Sequence, residues 1–182
     1  MAEEQQKILV VDDERLNINV LVDLLKPDYK MMAAKNGEQA LKAVKIANPP
    51  DLILLDIMMP EIDGYEVCRR LKADKATRDI PVIFITAMGE TSDETKGLEV
   101  GAVDYLTKPI SPPIVQARVK THLALRRNMA ELQKAYGVIE AQKERMQEEL
   151  NVGRSIQMSM VPQKFPAFPD RDEFSIHAAL HP

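Results

Sequence analysis

Over its first 110 positions the chain alternates short apolar runs with helically spaced apolar residues. The runs KILVVD (7–12), KMMAA (30–34), DLILLD (51–56), PVIFIT (81–86) and VDYL (103–106) predict five strands. Three of them have an unbroken apolar centre, as strands covered on both faces should. Between them, 15–25, 36–47, 63–73 and 91–100 place apolar residues at helical spacing. In 36–47, Ala40, Leu41, Val44 and Ala47 fall on one face, and Asn36 stands where a cap is needed. Strands alternating with helices imply βαβ units with right-handed crossovers, hence a doubly wound α/β fold on one parallel sheet.

The pattern changes after residue 113. From 114 to 161 there is no proline, and apolar residues recur at alternating spacings of three and four. Counted from His122, the series is Leu125, Met129, Leu132, Tyr136, Ile139, Lys143, Met146, Leu150 and Gly153. This is the seam of a left-handed coiled coil, read as parallel, with Lys143 weakening it while fixing register. The competing reading is one amphipathic helix folded back on its own domain. Forty residues would reach roughly 60 Å, which favours a homodimer. The fifth helix (112–126) runs into this segment without a break. Pro162, Pro166 and Pro169 then end the pattern, and FSIHAAL alternates like a strand. The predicted organisation is a domain over 1–121, a coiled-coil helix over 122–160 and the start of another domain over 161–182.

Composition narrows the function. The 182 residues are 45% apolar and 29% charged, which excludes a mainly disordered chain. No apolar run approaches the ~20 residues of a membrane-spanning helix, so no membrane partner is expected. The start, MAEEQQK, lacks the basic and apolar stretches of a secretory signal, and Cys68 stands alone. These features point to a soluble protein of the cytoplasm. The net charge is −4, and residues 112–160 carry +3 spread around the heptad pattern. With no helix-turn-helix after Pro109, no nucleic-acid partner is expected.

Candidate chemistry gathers at strand ends. Asp12 and Asp13 end the first strand and Asp56 the third. In the order 2-1-3-4-5 those strands are neighbours, and open α/β sheets bind ligands beyond their carboxyl ends. Three carboxylates meeting there require a cation, and hard oxygen ligands suit Mg²⁺. Thr86 ends the fourth strand and Lys108 follows the fifth, a hydroxyl and an ammonium fit to hold a phosphoryl group on a carboxylate. Taken singly, each acid could instead cap the helix that follows it. The sequence Asp12-Asp13-Glu14 is not the D-x-D-x-[TV] of haloacid-dehalogenase-type phosphohydrolases, and no P-loop is present.

The segments KILVVDDE, LILLDIMMPEIDGYEVCRRLK, PVIFITA and GAVDYLTKP resemble the receiver domain of two-component response regulators, over about residues 6–125. The resemblance implies a flavodoxin-like (βα)5 fold and a phospho-acceptor at Asp56, supplied by a histidine kinase or phosphotransfer protein. It implies Mg²⁺ held by Asp13 directly, Asp12 mainly through water, Asp56 and the backbone carbonyl of Met58. Thr86, the backbone N–H of Ala87 and Lys108 would bind the phosphoryl group. Tyr105 would be the aromatic switch, Pro109 would follow a cis peptide, and Gly64 would permit a tight backbone. Met58 and Met88 would overhang the site, and neither can orient a water, which predicts slow self-dephosphorylation. The tail IQMSMVP with FSIHAAL resembles the entry segment of SpoIIE/RsbU-type serine/threonine phosphatase domains, whose metal-binding aspartates would lie beyond residue 182. That implies a downstream phosphoprotein target. On this reading the chain itself is a switch rather than an enzyme. A dimeric adaptor without catalytic output and a Mg²⁺-dependent phosphohydrolase stay open as alternatives.

Overall fold

Alternation of side chains along five short strands divides the interior into two layers. The computed structural model describes residues 5–46, 48–87 and 99–160. Strands β1 (Lys7–Val11), β2 (Lys30–Ala34), β3 (Leu52–Asp56), β4 (Val82–Ala87) and β5 (Asp104–Lys108) are all parallel. They form one sheet in the order β2-β1-β3-β4-β5. Helices α1 (Arg15–Leu25), α2 (Gly37–Ala43), α3 (Gly64–Ala73) and α4 (Pro112–Met160) complete the described elements. The helix expected over 91–100 lies outside the described residues except for Glu99 and Val100, as do Met88 and the segment 161–182.

On one face Ile8, Val10, Leu52, Leu54, Ile83, Ile85 and Leu106 pack against Ile18, Leu21 and Leu25 of α1 and Val115, Val119 and Leu123 of α4. On the other, Leu9, Val11, Ile53, Leu55, Val82 and Phe84 pack against α2 and α3. Successive residues serve opposite faces because strand side chains alternate. Each such aliphatic or aromatic side chain contributes about 1.5–3 kcal/mol on burial.

β5 and α2 differ most in extent from the expectation. β4 and β5 run on to Ala87 and Lys108 because their ladder continues through Thr86–Thr107 and Ala87–Lys108. Lys108 is therefore the last strand residue, not the first of a loop. α2 stops at Ala43, where Lys45 N–H donates to the Lys42 carbonyl and tightens the last turn. The following Asn48-Pro49-Pro50 then disfavours further helix. Asn36 caps α2 as expected, accepting from the Gln39 N–H at 2.9 Å, and Asp63 caps α3 through the Glu66 N–H at 2.7 Å.

The chain divides into two packing units, residues 1–130 and 131–182. The first contains the sheet, α1 to α3 and the root of α4. In it His122, the position from which the heptads are counted, is tied to β5: its Nε2 lies 3.0 Å from Asp104 Oδ2. The helix must turn Val115, Val119 and Leu123 onto the sheet, and that phase sets His122 beside the sheet edge. Leu125 and Met129 are exposed. In the second unit the described residues are helical, with Leu132, Tyr136, Ile139, Met146 and Leu150 exposed. Among the described residues no helix is long and apolar enough to cross a membrane.

Candidate functional site

Asp12 directly follows β1 and Asp56 ends the adjacent β3, and the ladder places them side by side: Val11 pairs with Leu55, one residue before Asp12 and Asp56. Carboxylate oxygens of Asp12, Asp13 and Asp56 all lie within 4.8 Å of one another. Asp12 and Asp56 are buried while Asp13 is exposed. Lys108, brought to the same edge by β5, donates from Nζ to Asp12 Oδ2 and to Asp56 Oδ2, each at 3.1 Å. Three carboxylates thus face one ammonium, and the surplus of negative charge on hard oxygen donors fits Mg²⁺.

Electrostatics differ between the partners. Burial pushes the Asp56 carboxyl above the usual carboxylate range, and the Asp12 charge pushes the same way. Lys108 and the backbone N–H of Met58 oppose that rise. Burial works to lower the Lys108 ammonium, but its bonds to Asp12 and Asp56 prevail and hold it above its ordinary value. The site therefore keeps its cation charged next to a carboxyl that is costly to ionise alone.

None of the three acids is a helix cap. Glu14 occupies that position for α1, without a side-chain cap bond, and Asp63 does so for α3. Thr86 is buried at the end of β4 next to the ladder partner of Asp56, with Oγ1 donating to the Ala87 carbonyl at 3.3 Å. Tyr105 is half-buried on β5, two strands away from β3. The Met58 side chain is exposed, whereas its backbone lies at the site through the N–H just described. The Lys108–Pro109 peptide is cis. A Cβ on Gly64 would stand 2.3 Å from the Asp56 carbonyl oxygen, so the first turn of α3 can lie this close to β3 only with glycine there.

One supporting residue escaped the sequence reading. Asn17 Nδ2 donates to both carboxylate oxygens of Asp12 at 3.0 Å, and the Glu14 N–H adds a bond of 2.8 Å to Oδ1. Asn17 sits in the first turn of α1, where a polar residue inside an apolar-periodic helix is the available signal.

The family model for the response regulator receiver domain matches residues 8–120. The chain belongs to this family. It is 46% identical over 119 residues to the alkaline phosphatase synthesis transcriptional regulatory protein PhoP of Bacillus subtilis, covering 65% of this chain and 48% of that protein. It is 47% identical over 116 residues to the response regulator PleD of Caulobacter vibrioides, covering 63% and 25% respectively. A solved two-component response regulator from Clostridium difficile superposes with a TM-score of 0.61 at 30% identity, covering 66% of this chain and 97% of that one. The chain spans about half the length of the first of these curated relatives and a quarter of the second. Receiver domains are phospho-acceptors that bind Mg²⁺ at an acidic pocket and interact with histidine kinases or phosphotransfer proteins, and Asp12, Asp13 and Asp56 form an acidic cluster here.

Proposed function

We propose that this chain is a phosphorylation-dependent switch in which Asp56 is the phospho-acceptor. The observation that carries the reading is the Lys108 ammonium bridging Asp12 and Asp56 at 3.1 Å each, with Asp13 completing three carboxylates within 4.8 Å. An Asp56 carboxylate oxygen attacks the phosphorus of a phosphohistidine. The P–N bond breaks, its electron pair returns to the imidazole, and that nitrogen takes up a proton. Asp12, Asp13, Asp56 and the Met58 carbonyl would hold Mg²⁺, which would supply positive charge against the phosphoryl oxygens. Lys108 turns from the carboxylates to a phosphoryl oxygen, and the Ala87 N–H takes another. Thr86 exchanges its bond to the Ala87 carbonyl for the phosphoryl group, and Tyr105 moves into the space it leaves.

The change passes along residues 122–160 as a parallel coiled-coil homodimer to an output domain that starts at 161. The heptad series from Leu125 to Leu150 supports the first part. The likeness of IQMSMVP to the entry of SpoIIE/RsbU-type phosphatases supports the second, with a phosphoprotein as target.

The test is phosphoryl labelling of the chain by acetyl phosphate in Mg²⁺. Wild type is labelled stoichiometrically, and Asp56→Asn is not. Full labelling of Asp56→Asn removes the assignment, and continuous turnover of phosphate esters without a stable label favours a phosphohydrolase.

A further inference from the structure

At the root of α4 a second charged cluster straddles the edge of the sheet. Asp104 opens β5, accepting from Arg118 Nη1 at one oxygen and meeting His122 Nε2 at 3.0 Å through the other. Arg118 and His122 stand one helical turn apart, so a single carboxylate fixes two successive turns of α4. The Asp104 oxygen that accepts from Arg118 also accepts from the Tyr105 N–H at 2.8 Å. Leu106 packs into the layer beneath α4, whereas the Tyr105 ring, on the alternate face, packs into the layer beneath α2 and α3. Because β5 is the outermost strand, Arg118 reaches round it: its Cζ lies 5.6 Å from the Tyr105 ring centre, within cation–π range. One guanidinium thus touches a residue of each face, and it belongs to the helix that leaves the domain.

We propose that the Asp104–Arg118–His122 cluster is the joint that couples Tyr105 to the root of α4, with Arg118 holding both in the arrangement of the unmodified domain. The proposal rests on the reading of Asp56 and Tyr105 given above. Coupling between two sites is reciprocal. A contact that holds Tyr105 in the unmodified arrangement also resists modification of Asp56, so its removal makes modification easier. A purely structural ion pair predicts the reverse: lower stability, with phosphoryl-analogue binding unchanged or weaker.

The experiment titrates beryllofluoride, an analogue of the acyl phosphate, onto the full chain in Mg²⁺. Binding is read from isothermal titration calorimetry, and amide hydrogen exchange over 112–126 reports the helix root. Arg118→Ala should bind at least about 5-fold more tightly than wild type, at the lower end of ordinary allosteric couplings, while Arg118→Lys, which keeps the cation, stays closer to wild type. Tyr105→Leu removes the ring on which Arg118 acts, so adding Arg118→Ala to it should give no gain. In Asp104→Asn the exchange change over 112–126 on binding should shrink. Binding by Arg118→Ala that equals or falls below wild type, or additive effects with Tyr105→Leu, overturns the joint. If Arg118→Ala fails to fold, Asp104→Asn decides: an unchanged exchange response overturns it. Wild type that binds no beryllofluoride, or binds it equally as Asp56→Ala, overturns the phospho-acceptor reading and the joint together.

Discussion

At Gly64 the absence of a side chain is what lets the helix α3 begin against the carbonyl of Asp56. A methyl group there would meet backbone at 2.3 Å, and backbone cannot swing aside as a flexible side chain does. Gly64→Ala should therefore displace the end of β3, cost about 1–3 kcal/mol by overpacking and slow labelling of Asp56 even where the domain stays folded. Thermal unfolding and the acetyl phosphate reaction check the two parts separately, and an unaltered labelling rate would detach the loop from the site. The convergence of Asp12, Asp13, Asp56 and Lys108 was legible in the sequence because strand ends in an open parallel sheet meet on one edge. Asn17 was not, since its two bonds to Asp12 depend on where the first turn of α1 comes to rest. Asp104, Arg118 and His122 were hidden for a similar reason. Their meeting depends on the rotational phase of α4 against β5, which apolar spacing constrains only to within a residue or so.

The elements themselves followed from period and punctuation. β1, β2 and β3 came within a residue of the expected bounds because buried parallel strands leave unbroken apolar runs. β5 was harder: its last residues, Thr107 and Lys108, are polar, and only pairing with Thr86 and Ala87 extends the strand that far. α4 carries two requirements on one helix. Val115, Val119 and Leu123 are buried, and Leu125 begins the exposed series. Leu123→Ala should cost about 2–5 kcal/mol, as large-to-small changes in a packed core do. In the monomeric chain, Leu125→Ala should change the stability of the domain by about 0.5 kcal/mol or less, as surface substitutions do. Urea unfolding of both variants, followed by circular dichroism, measures the contrast, and equal losses would mean that the helix docks in another phase. Arg126 adds a polar tie on the receiver side, donating from Nη1 to the Pro50 carbonyl at 3.1 Å with Asp51 close by.

At the scale of the whole molecule the question is what covers the apolar series on α4. Val138 and Ile139 are neighbours with nearly equal exposure, 58% and 59%, so nothing in the single chain distinguishes them. The heptad does: Ile139 falls at a d position, Val138 at c. In a parallel two-stranded coil only the first enters the seam, where an aspartate would be desolvated opposite its own copy. Ile139→Asp should therefore shift the mass measured by light scattering at tens of micromolar from about twice 20.5 kDa to 20.5 kDa, whereas Val138→Asp should leave the dimer intact. The paired substitutions separate a register-specific seam from general stickiness of an apolar helix, because a nonspecific contact would respond to both. A wild-type chain that is monomeric at that concentration would remove the dimer. Dissociation by both variants would keep association but remove the heptad as its cause.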